Sequence, residues 1–215
     1  VLNNPNKPVT AIIGGSKVST KIDVINFLLK KMDIIIIGGA MANTFVAAKG
    51  LDVGKSLFEK ECIDLAKELI EKSQNNNCNL ILPTDFIVSK NLKKNAEYTT
   101  ANFDSLPHNM MALDIGPKSV EVINKNINNC KTILWNGPLG AFETYPFDKG
   151  TNKVASHVST LTKQKKILSV AGGGDTVSAL NNAKVLNDFS YVSTAGGAFL
   201  EWLEGKVLPG IEPIS

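Results

Sequence analysis

Arginine is absent: all 23 basic side chains of this 215-residue sequence are lysines, set against 20 acids. Planar, bidentate capture of carboxylates and phosphates is arginine's speciality, whereas lysine offers a mobile point charge on a flexible stem. A small dianionic substrate clamped by an arginine cluster is therefore not fully bound by this chain alone. An AT-rich genome that favours lysine and asparagine codons, as in the run Asn75, Asn76, Asn77, accounts for the absence equally well. Cysteine is scarce. Cys62, Cys78 and Cys130 are odd in number and widely spaced, with no CxxC and no nearby histidine pair, so neither a disulfide framework nor a zinc site follows. Long apolar runs are missing too. The longest, residues 34–48, is interrupted by Gly38, Gly39, Asn43 and Thr44 and falls short of a membrane span. No secretory signal opens the sequence. A cytoplasmic monomer without nucleic-acid or membrane partners is expected. Val1 in place of a methionine fits a chain cut out of something longer.

What is present is ordinary for a globular protein: 43 % hydrophobic residues, 20 % charged, and a net charge of +3. Along the chain one pattern recurs, a short apolar run, then a glycine turn, then a helical period. Residues 9–13 lead to Gly14-Gly15 and a helix expected over 17–31; residues 34–37 lead to Gly38-Gly39 and a helix over 41–48. Residues 131–135 lead to Asn136-Gly137-Pro138, residues 167–171 to Gly172-Gly173-Gly174, and residues 191–194 to Gly196-Gly197. Continuous apolar runs, unlike alternating ones, mark strands covered on both faces, so the fold class is α/β with a doubly wound parallel sheet. Strands at 79–82 and 110–113 are expected in the same sheet, with helices at 58–72 and 117–127. Residues 85–101 read as a polar excursion or hairpin, and residues 1–8, rich in Asn and Pro, as a linker into a domain spanning 9–215.

In open α/β sheets ligands settle beyond the carboxyl ends of the strands, where the five glycine joints lie. Free peptide N–H groups and the helix dipole attract anions there, and glycine lets a phosphate approach the backbone. Gly50 to Ser56 imitates a P-loop, but it has three residues between its glycines where the motif needs four, and it follows a helix; Lys55 is expected to be an exposed loop lysine. No joint carries GxGxxG, which weighs against a dinucleotide-binding dehydrogenase. Gly172-Gly173-Gly174-Asp175-Thr176 is more informative, since a carboxylate beside bound phosphates suits Mg²⁺; the alternative is that Asp175 merely caps a helix. Lys17 and Lys21, four apart, are expected on one helix face toward the same crevice, the alternative being two solvated lysines.

Taken together, residues 14–22 (GGSKVSTKI), 135–138 (WNGP), 172–176 (GGGDT) and 205–210 (GKVLPG) closely resemble phosphoglycerate kinase, in order over nearly the whole chain. The match covers only the carboxyl-terminal, nucleotide-binding domain of that enzyme. The resemblance implies a reversible phosphoryl transfer between 1,3-bisphosphoglycerate and Mg-ADP in glycolysis, with 3-phosphoglycerate bound mainly by a missing amino-terminal domain. By it, Lys17 would follow the moving phosphoryl, with the helix starts at Gly173 and Gly196 supplying charge neutralisation. Lys21, Gly14 and Gly15 would hold nucleotide phosphates, and Asp175 would anchor the Mg²⁺ that accompanies ATP or ADP. The turn Gly173, Gly174, Asp175, Thr176 would meet the phosphates with its peptide N–H groups, with Gly172 beside it in the nucleotide site. Asn136 and Pro138 would lie beside the triphosphate, Glu143 would accept the ribose hydroxyls, and Gly38, Gly39, Ala112 and Leu113 would bracket the adenine. Ser16, Ala112 and Ala195 depart from the commonest family pattern, each by one small side chain. A non-catalytic nucleotide-binding module is the alternative reading.

Overall fold

The computed structural model describes residues 5–203. Six strands make one parallel sheet: β1 (Val9–Ile13), β2 (Ile34–Ile37), β3 (Asn79–Ile81), β7 (Thr132–Asn136), β8 (Leu168–Gly172) and β9 (Tyr191–Ser193), in the order β3-β2-β1-β7-β8-β9. Three more strands, β4 (Asp85–Ser89), β5 (Thr99–Asn102) and β6 (Met111–Ile115), form a separate antiparallel sheet ordered β5-β4-β6. The helices are α1 (Ile22–Leu28), α2 (Met41–Ala48), α3 (Ile63–Asn75), α4 (Pro117–Asn128), α5 (Lys149–Lys163), α6 (Gly174–Asn182) and α7 (Gly196–Leu203).

Side chains alternate across the strands, and both faces are covered. Val9, Ala11 and Ile13 of β1 and Ile35 and Ile37 of β2 join a core with α1 (Val24, Ile25, Leu28), α2 (Phe45, Val46), α3 (Ala66, Leu69) and α7 (Phe199, Leu203). Ile12, Ile36, Ile133 and Trp135 face the other way, into a core with α4 (Val120, Ile123, Ile127), α5 (Val154, Val158) and α6 (Leu180). Burying each such aliphatic side chain contributes about 1.5–3 kcal/mol, which is why these β-branched runs specify a two-sided sheet.

Two expectations need correction. The run at 110–113 does not join the parallel sheet; β6 pairs antiparallel with β4, as Phe86↔Ile115 through Ser89↔Met111. An apolar run carries no information about its partner strand, and β6 also bears Asp114, whose buried carboxylate needs hydrogen-bond donors from the start of α5. The helix expected at 17–31 shortens to Ile22–Leu28. Thr20 Oγ1 donates to the Lys17 carbonyl (3.0 Å), and the Lys21 N–H donates to the Val18 carbonyl (2.8 Å), so hydroxyl and turn bonds replace the first helical turns. Elsewhere the outline stands: residues 85–101 form the β4–β5 hairpin, and the helix expected at 58–72 is a 3₁₀ turn, Lys60–Cys62, followed by α3.

Two buried acids fasten the small sheet to the helices. Asp85 accepts the Ser119 N–H (2.7 Å) and the Lys118 N–H (3.1 Å) at the start of α4. Asp114 accepts the Gly150 N–H (2.6 Å) at the start of α5 and the Ile115 N–H (2.9 Å). Burial pushes the Asp114 carboxyl well above the usual range, the two amide bonds only partly offsetting it. Each acid thus satisfies helix-start N–H groups that would otherwise be orphaned.

Candidate functional site

Chain order reverses between β1 and β7. From β1 the chain builds outward through β2 and β3, then returns to lay β7, β8 and β9 on the other side, so the crevice at the carboxyl ends of β1 and β7 is a topological switch point. The turns there interlock. The Gly14 N–H donates to the Asn136 carbonyl (2.9 Å), Gly15 to Pro138 (3.1 Å), Gly39 to Leu139 (2.9 Å) and Met41 to the Gly15 carbonyl (3.1 Å). Glycine is required where backbones come this close: a Cβ on Gly14 would stand 2.0 Å from the Pro138 carbonyl oxygen, and one on Gly39 would stand 2.4 Å from that of Gly15. Gly38 is similarly pressed against Leu139. Gly15 and Gly174 are different, since a Cβ on either would meet nothing within 4 Å. Those two positions are open to a ligand.

The β8–α6 joint locks onto the same crevice. Asn136 Nδ2 donates to the Gly172 carbonyl (2.7 Å), and the Gly137 N–H donates to Thr176 Oγ1 (2.6 Å). Asn136 Oδ1 is left buried without a hydrogen-bond partner. Gly173 turns the chain with φ of 98° at the N-cap of α6. The first bond of α6 runs from the Val177 N–H to the Gly173 carbonyl, so the N–H groups of Gly174, Asp175 and Thr176 lack helical acceptors. Asp175 is exposed in that first turn. Lys21, the N-cap residue of α1, is half-buried; burial brings its ammonium down to about 8, and the negative charge of Asp175 opposes the shift. Lys17 is exposed in the turn before α1. The pair does not share a helix face, because α1 begins only at Ile22.

The sequence matches the phosphoglycerate kinase family profile over residues 1–206. The chain belongs to the phosphoglycerate kinase family. Phosphoglycerate kinases from Sinorhizobium fredii and Methylorubrum extorquens are each 54 % identical to it, over 98 % and 99 % of this chain and 53 % of their own length. The phosphoglycerate kinase structure from Coxiella burnetii superposes with a TM-score of 0.93 at 45 % identity, covering 98 % of this chain and 53 % of that one. That from Pyrococcus horikoshii gives 0.82 at 25 % identity. The chain thus spans about half the length of the relatives it matches.

Against this phosphoglycerate kinase background the remaining expected residues divide. Gly196 opens α7 beyond β9, on the same edge of the parallel sheet, and Phe199 of that helix fills the space a Cβ on Gly172 would take. Leu113 reaches the crevice loop through its carbonyl, which accepts the Ala141 N–H (2.8 Å). Ala112 is buried, with its N–H given to Ser56 Oγ (2.8 Å). Glu143 is exposed in a cleft of about 610 Å³ that it lines with Lys93, Lys94, Ser178 and Asn182, the last two from α6, whose first turn borders the crevice. Lys55 is an exposed loop lysine, as expected. The motif at 205–210 lies outside the described residues. Gly137, whose N–H is taken by Thr176 Oγ1, was missed as a structural part of the site, although the WNGP motif held a signal for it.

Proposed function

We propose that the chain is the nucleotide-binding half of a phosphoglycerate kinase, with residues 9–215 as the domain and 1–8 as the linker to an amino-terminal half that holds the phosphoglycerate. The reaction is reversible transfer of a phosphoryl group between 1,3-bisphosphoglycerate and Mg-ADP, giving 3-phosphoglycerate and Mg-ATP. The observation that carries the reading is the crevice at the switch point, where Gly15 and Gly174 stand open while their neighbours are locked. Its setting is expected to be the cytoplasm, as a monomer; among the described residues no helix is long and apolar enough to cross a membrane.

The donor set suits a magnesium nucleotide. Asp175 offers one hard carboxylate, and Asn136 Oδ1 is an orphaned acceptor beside the same turn. Mg²⁺ keeps most of its waters and takes one or two carboxylates besides phosphate oxygens; when bound it neutralises charge on the phosphates. The N–H groups of Gly174, Asp175 and Thr176, with the dipole of α6 behind them, receive phosphate oxygens. Lys21 holds the ground-state phosphates, and Lys17 accompanies the transferred group. No covalent nucleophile is required, because such transfer depends on alignment and charge stabilisation.

The test is calorimetric titration of the chain with Mg-ADP, Mg-ATP and NAD, repeated with Asp175→Asn. Mg-ADP and Mg-ATP are expected to bind and NAD not to. Asp175→Asn is expected to weaken Mg-ATP binding while leaving metal-free nucleotide binding nearly intact. Equal losses with and without Mg²⁺ would make Asp175 a helix cap and remove it from the metal site.

A further inference from the structure

Lys17 lies on a five-residue turn anchored at both ends by the same structural unit. At one end the Gly15 carbonyl accepts the Met41 N–H at the start of α2 (3.1 Å). At the other, Glu59 takes Ser19 with both carboxylate oxygens: the Ser19 N–H donates to Oε2 (3.0 Å) and Ser19 Oγ donates to Oε1. Glu59 is itself fixed by α2, its N–H donating to the buried Thr44 Oγ1 (3.0 Å), while Asn43 Nδ2 donates to the neighbouring Leu57 carbonyl (3.0 Å). Val18, between the anchors, is fully buried. Besides Glu59 and the Cys62 thiol, which also receives the Ser19 N–H, the hydrogen bonds at residues 17–20 among the described residues are local ones, Thr20 to Lys17 and Lys21 to Val18, which a helical or extended turn could exchange for others. Burial pushes the Glu59 carboxyl up, but hydrogen bonds from Ser19 and Val18 and the charge of Lys17 outweigh it and hold it below the usual range.

We propose that Glu59 is a positioning residue for the phosphoryl transfer: by clamping Ser19 to α2 it fixes the turn that carries Lys17, so that the ammonium meets the transferring group without rearrangement. This rests on the role given to Lys17 under the proposed function. Hydrogen bonds to an ionised carboxylate are short and directional, so this two-oxygen clamp fixes the geometry of the turn that carries Lys17. Misplacement of a catalytic group by about 1 Å costs on the order of 10²-fold in rate.

The experiment uses the enzyme completed by an amino-terminal half. Glu59→Ala is expected to lower kcat about 10- to 100-fold with little change in the nucleotide KM. Glu59→Gln, which keeps an oxygen for the Ser19 N–H, should retain much of the loss-free rate. In a Lys17→Ala background, Glu59→Ala should add nothing, since both act through one ammonium. Hydrogen exchange at the Ser19 amide should quicken in Glu59→Ala. If Glu59→Ala proves poorly folded, Ser19→Ala removes one arm of the clamp at an exposed position and should give a smaller loss of the same kind. Equal losses with and without Lys17, or quickened Ser19 exchange with undiminished kcat, would overturn the proposal. A Lys17→Ala enzyme of normal turnover would instead sink the role of Lys17 itself, and is distinguishable because Glu59 need not be altered to see it.

Discussion

Lys21 carries a cost in stability that its position in the crevice explains. Its ammonium is drawn down to about 8 by burial, from 10.5 for an ordinary lysine, Asp175 opposing the shift. Below the folded value both folded and unfolded chains hold the proton, and folding bears the full penalty of a half-buried charge. As pH rises from about 8 toward 10.5, the folded chain sheds the proton first and the penalty fades. Lys21→Met is therefore expected to raise the melting temperature at about pH 7, with the gain shrinking toward about pH 10, while nucleotide affinity falls. Thermal melts at the two pH values check the first part. A bound phosphate restores the charged form, so at about pH 8.5 Mg-ADP binding should take up protons. Calorimetry in buffers of different ionisation heat reads that uptake, which should vanish in Lys21→Met. No gain in melting temperature would mean that the ammonium is well solvated where it stands.

At the scale of turns and helices, the glycines fall into two kinds that sequence alone does not separate. Gly14 is wedged against the Pro138 carbonyl, whereas Gly174 faces open space at the start of α6. Gly14→Ala is expected to destabilise the chain by roughly 1–3 kcal/mol, because both colliding partners are backbone. Gly174→Ala should leave stability unchanged or raise it by about 0.4–1 kcal/mol through the unfolded chain, yet weaken Mg-ADP binding by crowding the phosphates. Urea unfolding beside an ADP titration separates the two; a Gly174→Ala protein that binds normally would take that N–H row out of the site. The five joints were legible because an apolar run ending in glycine is a local signal, complete within about ten residues. The start of α1 was not, since Ser19 is claimed by Glu59, forty positions away. Nor was the sheet of β6, because Ala112 is bound by Ser56, 56 positions away, and Asp114 by Gly150. The helix α5 escaped delineation although Val154, Ala155, Val158 and Leu161 keep helical spacing, because glycine, threonine and serine dilute its propensity. Lys17 and Lys21 are legible as a pair four apart, but the turn that carries Lys17 is fastened through Ser19 to Glu59, forty positions away.

At the scale of the whole chain, the parallel sheet has helices on both faces and each apolar face is covered from within, so the 215-residue chain is expected to fold and bind Mg-ADP by itself. It is also expected to show no phosphoglycerate-dependent turnover. The chain covers 53 % of its relatives' length, and it has no arginine with which to clamp a dianionic acceptor. Without an acceptor held in line, the reaction forfeits most of the roughly 7–11 kcal/mol that proximity can supply. Supplying an amino-terminal half in trans should restore a trace of activity, limited by how weakly two unlinked halves associate, and joining the halves should raise it by the effective concentration of the tether. A coupled kinase assay on the purified chain, alone, with the free half and covalently joined, beside an ADP titration, reads all of this. Clear turnover by the chain alone would refute the division of labour between two halves. ADP binding that persists after the halves are joined, with no turnover even then, would leave a nucleotide-binding module without chemistry. Absent ADP binding would remove the crevice between β1 and β7 from the account altogether.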